Sequence, residues 1–182
     1  MAVIHHTTLS PGKLDLLARW LPRQAWYRGA GELTRVGGFR LDDPAGEVGI
    51  EFMVVLTGAG EPYLVPMTYR AAPFEAAAAG LIGTAQHGVL GDRWIYDGER
   101  DPVLRAQLAA LLRGEVTAQA QSQSHSVDPT VRVRSVPAVG AVSIRRLLTE
   151  DEPPGASAGY LSIPWRRLDG STAHGVVATA DS

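Results

Sequence analysis

The histidines are the side chains of this sequence best suited to metal chemistry, and their spacing does not favour it. His5 and His6 are adjacent, so on an extended strand they would face opposite sides and could not readily hold one ion together. His87, His125 and His174 are scattered, without an HxxxH or HExxH spacing. We therefore expect ordinary surface or strand histidines and no metal, and a histidine site assembled in space is the alternative.

Carboxylates and nucleophiles give an equally weak signal for catalysis. Asp42 and Asp43 could form an acid/base pair, but they stand in an Asp-Asp-Pro-Ala-Gly stretch typical of a turn. The segment 150–159 is acidic and rich in Pro, Gly and Ala, which predicts an exposed loop. No GxSxG elbow occurs, and nothing marks Ser122, Ser124 or Ser126 with His125 as a triad. We predict no catalytic residue.

Phosphoryl transfer is also not expected from this chain. Its single lysine is Lys13, and no Walker pattern or glycine loop followed by a lysine occurs. A kinase would need a strand lysine, a catalytic aspartate and carboxylates for magnesium. The chain has no cysteine, which excludes thiol catalysis, disulfides and cysteine-ligated metal centres. We predict no cofactor.

Aromatic and arginine side chains are the better candidates for binding. Trp26, Tyr27 and Arg28 stand together in a polar stretch that predicts a loop, where rings can anchor a partner or a ligand. Trp94 and Tyr96 are two residues apart and would share one face of a strand. With arginines they could line a pocket. Packing of the aromatic rings in the core is the competing interpretation. The set of candidate binding residues is Trp26, Tyr27, Arg28, Arg40, Arg70, Trp94 and Tyr96.

Length and composition set the class of protein. The chain has 182 residues, a net charge of −2 and 45% hydrophobic residues, which predicts a single domain over 1–182 with its own core. The charge balance argues against nucleic-acid binding. No apolar run approaches the ~20 residues of a membrane span, and the first ten residues lack a targeting signal. We therefore expect no membrane association and a cytoplasmic location.

Two helices and several strands should position these residues. Ser10 and Pro11 predict a helix start that Pro22 ends, and Asp101 with Pro102 predicts a second helix closed by Gly114. Between the helices, apolar stretches separated by glycine-rich turns predict an antiparallel meander, with a bulge at the two glycines 37–38. Further strands are expected over 116–182. The fold class is α+β, with a helix packed on a strongly twisted antiparallel sheet.

Several motifs together resemble a known family. They are Ser10 to Leu17, Trp20-Leu21-Pro22 leading to Trp26-Tyr27-Arg28-Gly29, Arg35 to Leu41, Tyr63 to Arg70, and Leu81 to Gly98. They are similar to the N-terminal cap domain of actinobacterial maltokinases, and to stand-alone cap-like proteins loosely labelled 1,4-alpha-glucan branching proteins. The resemblance is good over residues 1–115 and loose over the remainder. The preference for arginine over lysine fits an actinobacterial source.

The resemblance implies a cystatin-like cap fold without the kinase lobes, so no catalytic residue of the family can be carried over. The branching label finds no support, because a branching enzyme needs a large barrel and an acidic pair. We expect a non-catalytic accessory protein of maltose, trehalose or α-glucan metabolism. Its partner would be a maltokinase or a trehalose- or glucan-processing enzyme, or a second copy in a homo-oligomer. The alternative is a small-molecule or carbohydrate-binding domain with an aromatic and arginine pocket.

Overall fold

The computed structural model describes residues 9–121, 126–151, 155 and 158–181. His5, His6 and the Ser122–His125 stretch, which the sequence raised as candidates, lie outside these residues. Two α-helices are found in the described part, α1 (Lys13–Trp20) and α2 (Pro102–Leu112), with short 3-10 helices at Leu21–Arg23, Glu75–Gly80 and Gly98–Arg100. The strands are β1 (Leu9–Ser10), β2 (Thr34–Leu41), β3 (Gly49–Leu56), β4 (Pro62–Arg70), β5 (Leu81–His87), β6 (Gly91–Asp97), β7 (Arg132–Arg134), β8 (Val142–Ile144), β9 (Gly159–Arg166) and β10 (Thr172–Ala180).

The strands form two antiparallel sheets. The first has the order β1-β5-β6-β4-β3-β2 and contains the predicted meander β2-β3-β4, and the second has the order β7-β9-β10-β8. Among the further strands expected over 116–182, β9 and β10 form a hairpin that turns at Asp169-Gly170, and Gly170 has the positive φ that the turn requires. The α+β class is confirmed. The cystatin-like label and the single domain over 1–182 stay predictions.

Strand β3 is buried on both faces and separates two cores. Ile50, Phe52 and Val54 face one core, which we call the α2-side core; it contains Leu104, Leu108, Leu111 and Leu112 of α2 and the inner residues of the second sheet. Met53 and Val55 face the opposite core, the α1-side core, together with Leu16, Leu17 and Trp20 of α1. This double burial accounts for the unbroken apolar run of β3, because a strand covered on both faces has no polar face to display.

The two helix starts differ in how well local sequence predicts them. Asp101 caps α2 as predicted, accepting a hydrogen bond from the Val103 amide at 3.0 Å, and Gly114 ends the helix at positive φ. The predicted cap of α1 is wrong. Ser10 belongs to β1 and pairs with Gln86 of β5, so α1 begins after Gly12. A long-range strand pairing overrides the local capping signal here.

The second sheet is connected to the first beside β4. Strand β6 pairs with only part of β4, Met67–Arg70, and leaves the start of β4 open on that side. The segment 145–148 fills it: the Leu64 amide donates to the Arg146 carbonyl at 2.8 Å, and the Leu148 amide donates to the Pro62 carbonyl at 2.9 Å. The polar stretch 116–126, judged compatible with a strand, makes only isolated bridges at Gln119 among its described residues.

Candidate functional site

Polar and aromatic side chains lie around β4 in three clusters, each of which contains a buried carboxylate or guanidinium. The Asp101 cluster comprises Thr68, Arg70, Phe74, Trp94, Tyr96 and Asp101. The Glu51 cluster comprises Lys13, Arg40, Glu51, Tyr69 and Gln121. The Arg146 cluster comprises Trp26, Asp97, Glu99 and Arg146. Successive residues of a strand point to opposite faces, so Tyr69 and Arg70 direct two clusters to opposite sides of the sheet.

The Asp101 cluster holds a fully buried carboxylate. Arg70 donates to it twice at 2.8 Å, through Nε and Nη2, and the Thr68 hydroxyl donates at 2.9 Å. Burial raises the pKa of Asp101, but the hydrogen bonds from Arg70, Val103 and Thr68 and the charge of Arg70 outweigh burial and leave the pKa below its ordinary value. This ion pair connects β4 to the start of α2.

The predicted pocket residues Arg70, Trp94 and Tyr96 do share a face of the sheet. Arg70 is opposite Trp94 and Thr68 is opposite Tyr96 in the register. The Arg70 guanidinium lies 3.9 Å from the centre of the Phe74 ring, and the Tyr96 hydroxyl accepts a hydrogen bond from the Phe74 amide at 2.8 Å. Tyr96 is buried and Trp94 half-buried. Arg70 and Tyr96 are therefore engaged with neighbours of the same cluster.

The Glu51 cluster lies on the other face of the sheet, and Arg40 is opposite Glu51 in the register. Lys13 Nζ and the Tyr69 hydroxyl each lie 2.6 Å from the carboxylate, and Gln121 donates to its second oxygen at 3.1 Å. The pKa of Tyr69 is raised well above its ordinary value, first by burial and then by the charge and hydrogen bond of Glu51, against an opposing effect of Arg40. The cluster holds the start of α1 to the sheet.

The Arg146 cluster contains the predicted aromatic loop. The Arg146 guanidinium lies 4.8 Å from the centre of the Trp26 ring, and its Nη2 donates to Asp97 at 2.7 Å and to Glu99 at 2.6 Å. Its Nε and Nη1 are buried without a hydrogen-bond partner among the described residues. Trp26 is half-buried, and its ring also meets those of Trp20 and Tyr63.

Tyr27 and Arg28 complete this loop. Tyr27 is buried, its ring centre 4.8 Å from that of Tyr63, and its pKa is raised by burial first and then by Tyr63 and Glu61. The exposed Arg28 donates to the Ala25 and Tyr27 carbonyls at 2.6 and 3.0 Å. The loop therefore holds its own aromatic rings inward.

Other sequence candidates take structural roles. The Asp43 carboxylate accepts hydrogen bonds from the backbone amides of Ala45, Glu47 and Val48, which confirms the turn interpretation. His87 is half-buried, and its Nδ1 accepts from the amides of Val89 and Leu90. Within 9–121, 126–151, 155 and 158–181, no group of three His, Asp or Glu side chains is placed to hold a metal ion.

Sequence reasoning missed the partners of these clusters. Glu51 and Arg146 were not singled out, because Glu51 lies in a largely apolar strand and Arg146 is distant from its partner Asp97 along the chain. A charged residue inside a strand that is otherwise buried is the one available signal, since burial of a charge requires a partner. That signal applies to Glu51 within Gly49–Leu56.

Apolar side chains also remain exposed on the surface. Val89 is 59% and Leu90 44% exposed, and they are adjacent on the turn between β5 and β6. Val127 and Leu168 are 58% and 67% exposed at other places in the fold. Single exposed apolar residues are common on proteins, so the adjacent pair on the β5–β6 turn is the more informative feature.

The comparison with known families agrees with the resemblance carried by the sequence motifs. Residues 20–101 match the family model of the maltokinase N-terminal cap domain, a region that covers β2 to β6 and ends at the cap of α2. The search of curated proteins found no matching relative. Among the described helices, none has the length and apolar character needed to cross a membrane.

Proposed function

We propose that this protein is a non-catalytic accessory protein of maltose, trehalose or α-glucan metabolism, which acts by binding a partner enzyme. The match of residues 20–101 to a domain named as the N-terminal cap of a maltokinase carries the proposal. A maltokinase or another enzyme acting on trehalose or α-glucans is the partner proposed. The absence of enzymatic activity, a cytoplasmic location and self-association are parts of the proposal that await tests.

The contact surface proposed is the β5–β6 turn. Val89 and Leu90 lie inside the matched region and project two neighbouring apolar side chains. Apolar side chains that become buried at the centre of an interface supply much of its binding energy. The loop at Trp26 and Tyr27 is a weaker candidate for this role, because its rings already pack on Tyr63 and Trp20.

Affinity capture from a lysate of the native host, read by mass spectrometry, tests this proposal. We expect the wild-type protein to enrich an enzyme that acts on maltose, trehalose or an α-glucan. The double variant Val89→Ser/Leu90→Ser should bind the recovered enzyme about tenfold more weakly or worse in a titration with the purified components.

The matched control is Val127→Ser/Leu168→Ser, which removes an equally exposed valine and a more exposed leucine, both outside residues 20–101. It should bind as the wild type does. Recovery of the bait alone, or of enzymes of unrelated metabolism, would contradict the proposal. If the Val89/Leu90 variant binds as tightly as the wild type, the proposed contact surface is wrong, but the proposed partner enzyme is not contradicted.

The second candidate function is the binding of a small molecule. The face that carries Arg70, Trp94 and Tyr96 supports it less than expected, because Asp101 and Phe74 already engage Arg70. The groove between α1 and β5 supports it better.

A further inference from the structure

A groove of about 260 Å³ lies between α1, the 3-10 helix that follows it, and β5. It is lined by Pro11, Leu16, Arg19, Trp20, Arg23, Ile82, Gly83 and Thr84. Gly83 allows α1 to lie close to β5. A Cβ at this position would lie 2.8 Å from the Leu16 side chain, so a larger residue would push α1 away from β5. The groove thus depends on a close approach of helix and strand.

Two guanidinium groups border this groove, and neither has a partner in the part of the chain that the structure describes. Arg19 and Arg23 are four residues apart on the continuous turn from α1 into the 3-10 helix, and both are exposed. Neither makes a hydrogen bond or ion pair with any residue in the described part of the chain. Some arginines of the fold are paired with carboxylates, as Arg70 is with Asp101 and Arg146 with Asp97, whereas Arg19 and Arg23 lie beside a groove with no such partner among the described residues. No carboxylate is among the lining residues.

The remaining lining adds one polar group and an apolar wall. The exposed Thr84 can offer a hydroxyl, and Leu16, Trp20 and Ile82 close the apolar side. A fork of guanidinium donors matches the paired oxygens of a phosphate or carboxylate, and charge-assisted hydrogen bonds are the strong ones. An arginine in the last helical turn also interacts favourably with the helix dipole, and both Arg19 and Arg23 occupy such a position. That role does not account for the groove beside them.

We propose that this groove binds a small organic phosphate, with Arg19 and Arg23 holding the phosphate group and Trp20 and Ile82 contacting the organic part. Phosphate is favoured over carboxylate because its three terminal oxygens can be shared by two guanidinium groups and the Thr84 hydroxyl. The inference is independent of the partner enzyme proposed above.

Isothermal titration calorimetry on the full-length protein tests the site, with inorganic phosphate, glucose 1-phosphate and glucose as probes. We expect glucose 1-phosphate to bind with a Kd of about 1 mM or lower and to weaken as salt is raised. Glucose should not bind. Equal affinity for inorganic phosphate would overturn the contact of Trp20 and Ile82 with the organic part.

The test variant is Arg19→Gln/Arg23→Gln, since glutamine keeps helix propensity and removes only the charges. It should weaken binding about tenfold or more. The matched control Arg105→Gln/Arg166→Gln removes two exposed arginines elsewhere and should bind like wild type. The inference is overturned if glucose binds as well as its phosphate, if both double variants lose affinity equally, or if no probe binds up to about 10 mM. None of these results bears on capture of a partner enzyme.

Discussion

Asp101 joins two parts of the molecule, α2 and β4, through one carboxylate. It caps α2 at Val103, accepts the Thr68 hydroxyl of β4 and accepts two hydrogen bonds from Arg70 of the same strand. All of these contacts are formed at a fully buried position. Removing one partner of a buried ion pair leaves the other charge without compensation, and this makes the residue a sensitive test of the fold.

Asp101→Ala should lower the free energy of unfolding by about 3 kcal/mol or more at pH 7. Because the folded pKa of Asp101 is lowered, its contribution is fully present above the unfolded pKa of about 3.9 and is lost as pH falls through the folded value. The difference between wild type and variant should therefore shrink below about pH 4. Urea unfolding at a series of pH values measures it.

Glu47→Ala is the control for this measurement. Glu47 is exposed, and loss of an isolated surface carboxylate usually changes stability by less than about 0.5 kcal/mol. A loss at Asp101 no larger than that of the control, or a loss that stays constant down to about pH 2, would show that the Arg70 pair contributes little.

At the scale of the element, strand β2 carries a bulge that shapes the first sheet. The register against β3 shifts between Arg35 and Gly37, as the two glycines predicted. Gly38 has a φ of 133°, and a Cβ there would lie 2.1 Å from the Phe52 carbonyl oxygen. Glycine alone tolerates both conditions, because no side chain fits and L residues rarely adopt this φ.

Gly38→Ala should destabilise the protein by at least about 3 kcal/mol, since backbone strain and a steric clash with β3 add together. Gly46→Ala is the matched comparison. Gly46 also has a positive φ, 71°, but a Cβ there meets nothing within 4 Å, so a cost of about 1–2 kcal/mol is expected from strain alone. Thermal unfolding of both variants measures the difference, and equal losses would mean that the contact with Phe52 is relieved by a small backbone shift.

Local signals in the sequence predicted elements whose stabilising contacts are also local. The cap at Asp101 and the turn at Asp43 were correct because each carboxylate bonds to amides a few residues away. The cap at Ser10 was wrong because its decisive contact is with Gln86. The surroundings of the predicted binding residues could not be predicted from local sequence, because their contacts come from distant parts of the chain. Arg146, whose guanidinium lies over the Trp26 ring, is an example.

At the scale of the whole molecule, the second sheet covers one face of the first. Phe39, Phe52 and Leu64 of the first sheet belong to the same core as Leu161 and Ile163 of the second. Residues 9–115 therefore contain one complete core, the α1-side core, whereas the α2-side core also needs residues beyond 115, from Ala118 to Ala180. The matched family region ends well before the sheet that completes this packing.

A chain truncated after residue 115 should lose solubility and cooperative folding. Its α2-side core would expose a broad apolar surface on β2, β3 and β4, and exposed apolar patches of this kind promote association. Size-exclusion chromatography and thermal unfolding of the 1–115 fragment, beside the full-length protein, measure both properties. A monomeric fragment with a sharp transition would instead show that residues 1–115 fold independently and that 116–182 are an addition.

The junction of segment 145–148 with the start of β4 has a consequence for synthesis. The ribosome releases Pro62 and Leu64 about 80 residues before their partners Leu148 and Arg146, an interval of about 4–16 s at ordinary elongation rates. During that time the backbone amides and carbonyls on the open side of β4 are unpaired and can form hydrogen bonds with a strand of another chain. Native pairing of this side therefore cannot begin until Leu148 has been translated, so the start of β4 stays unprotected throughout that interval.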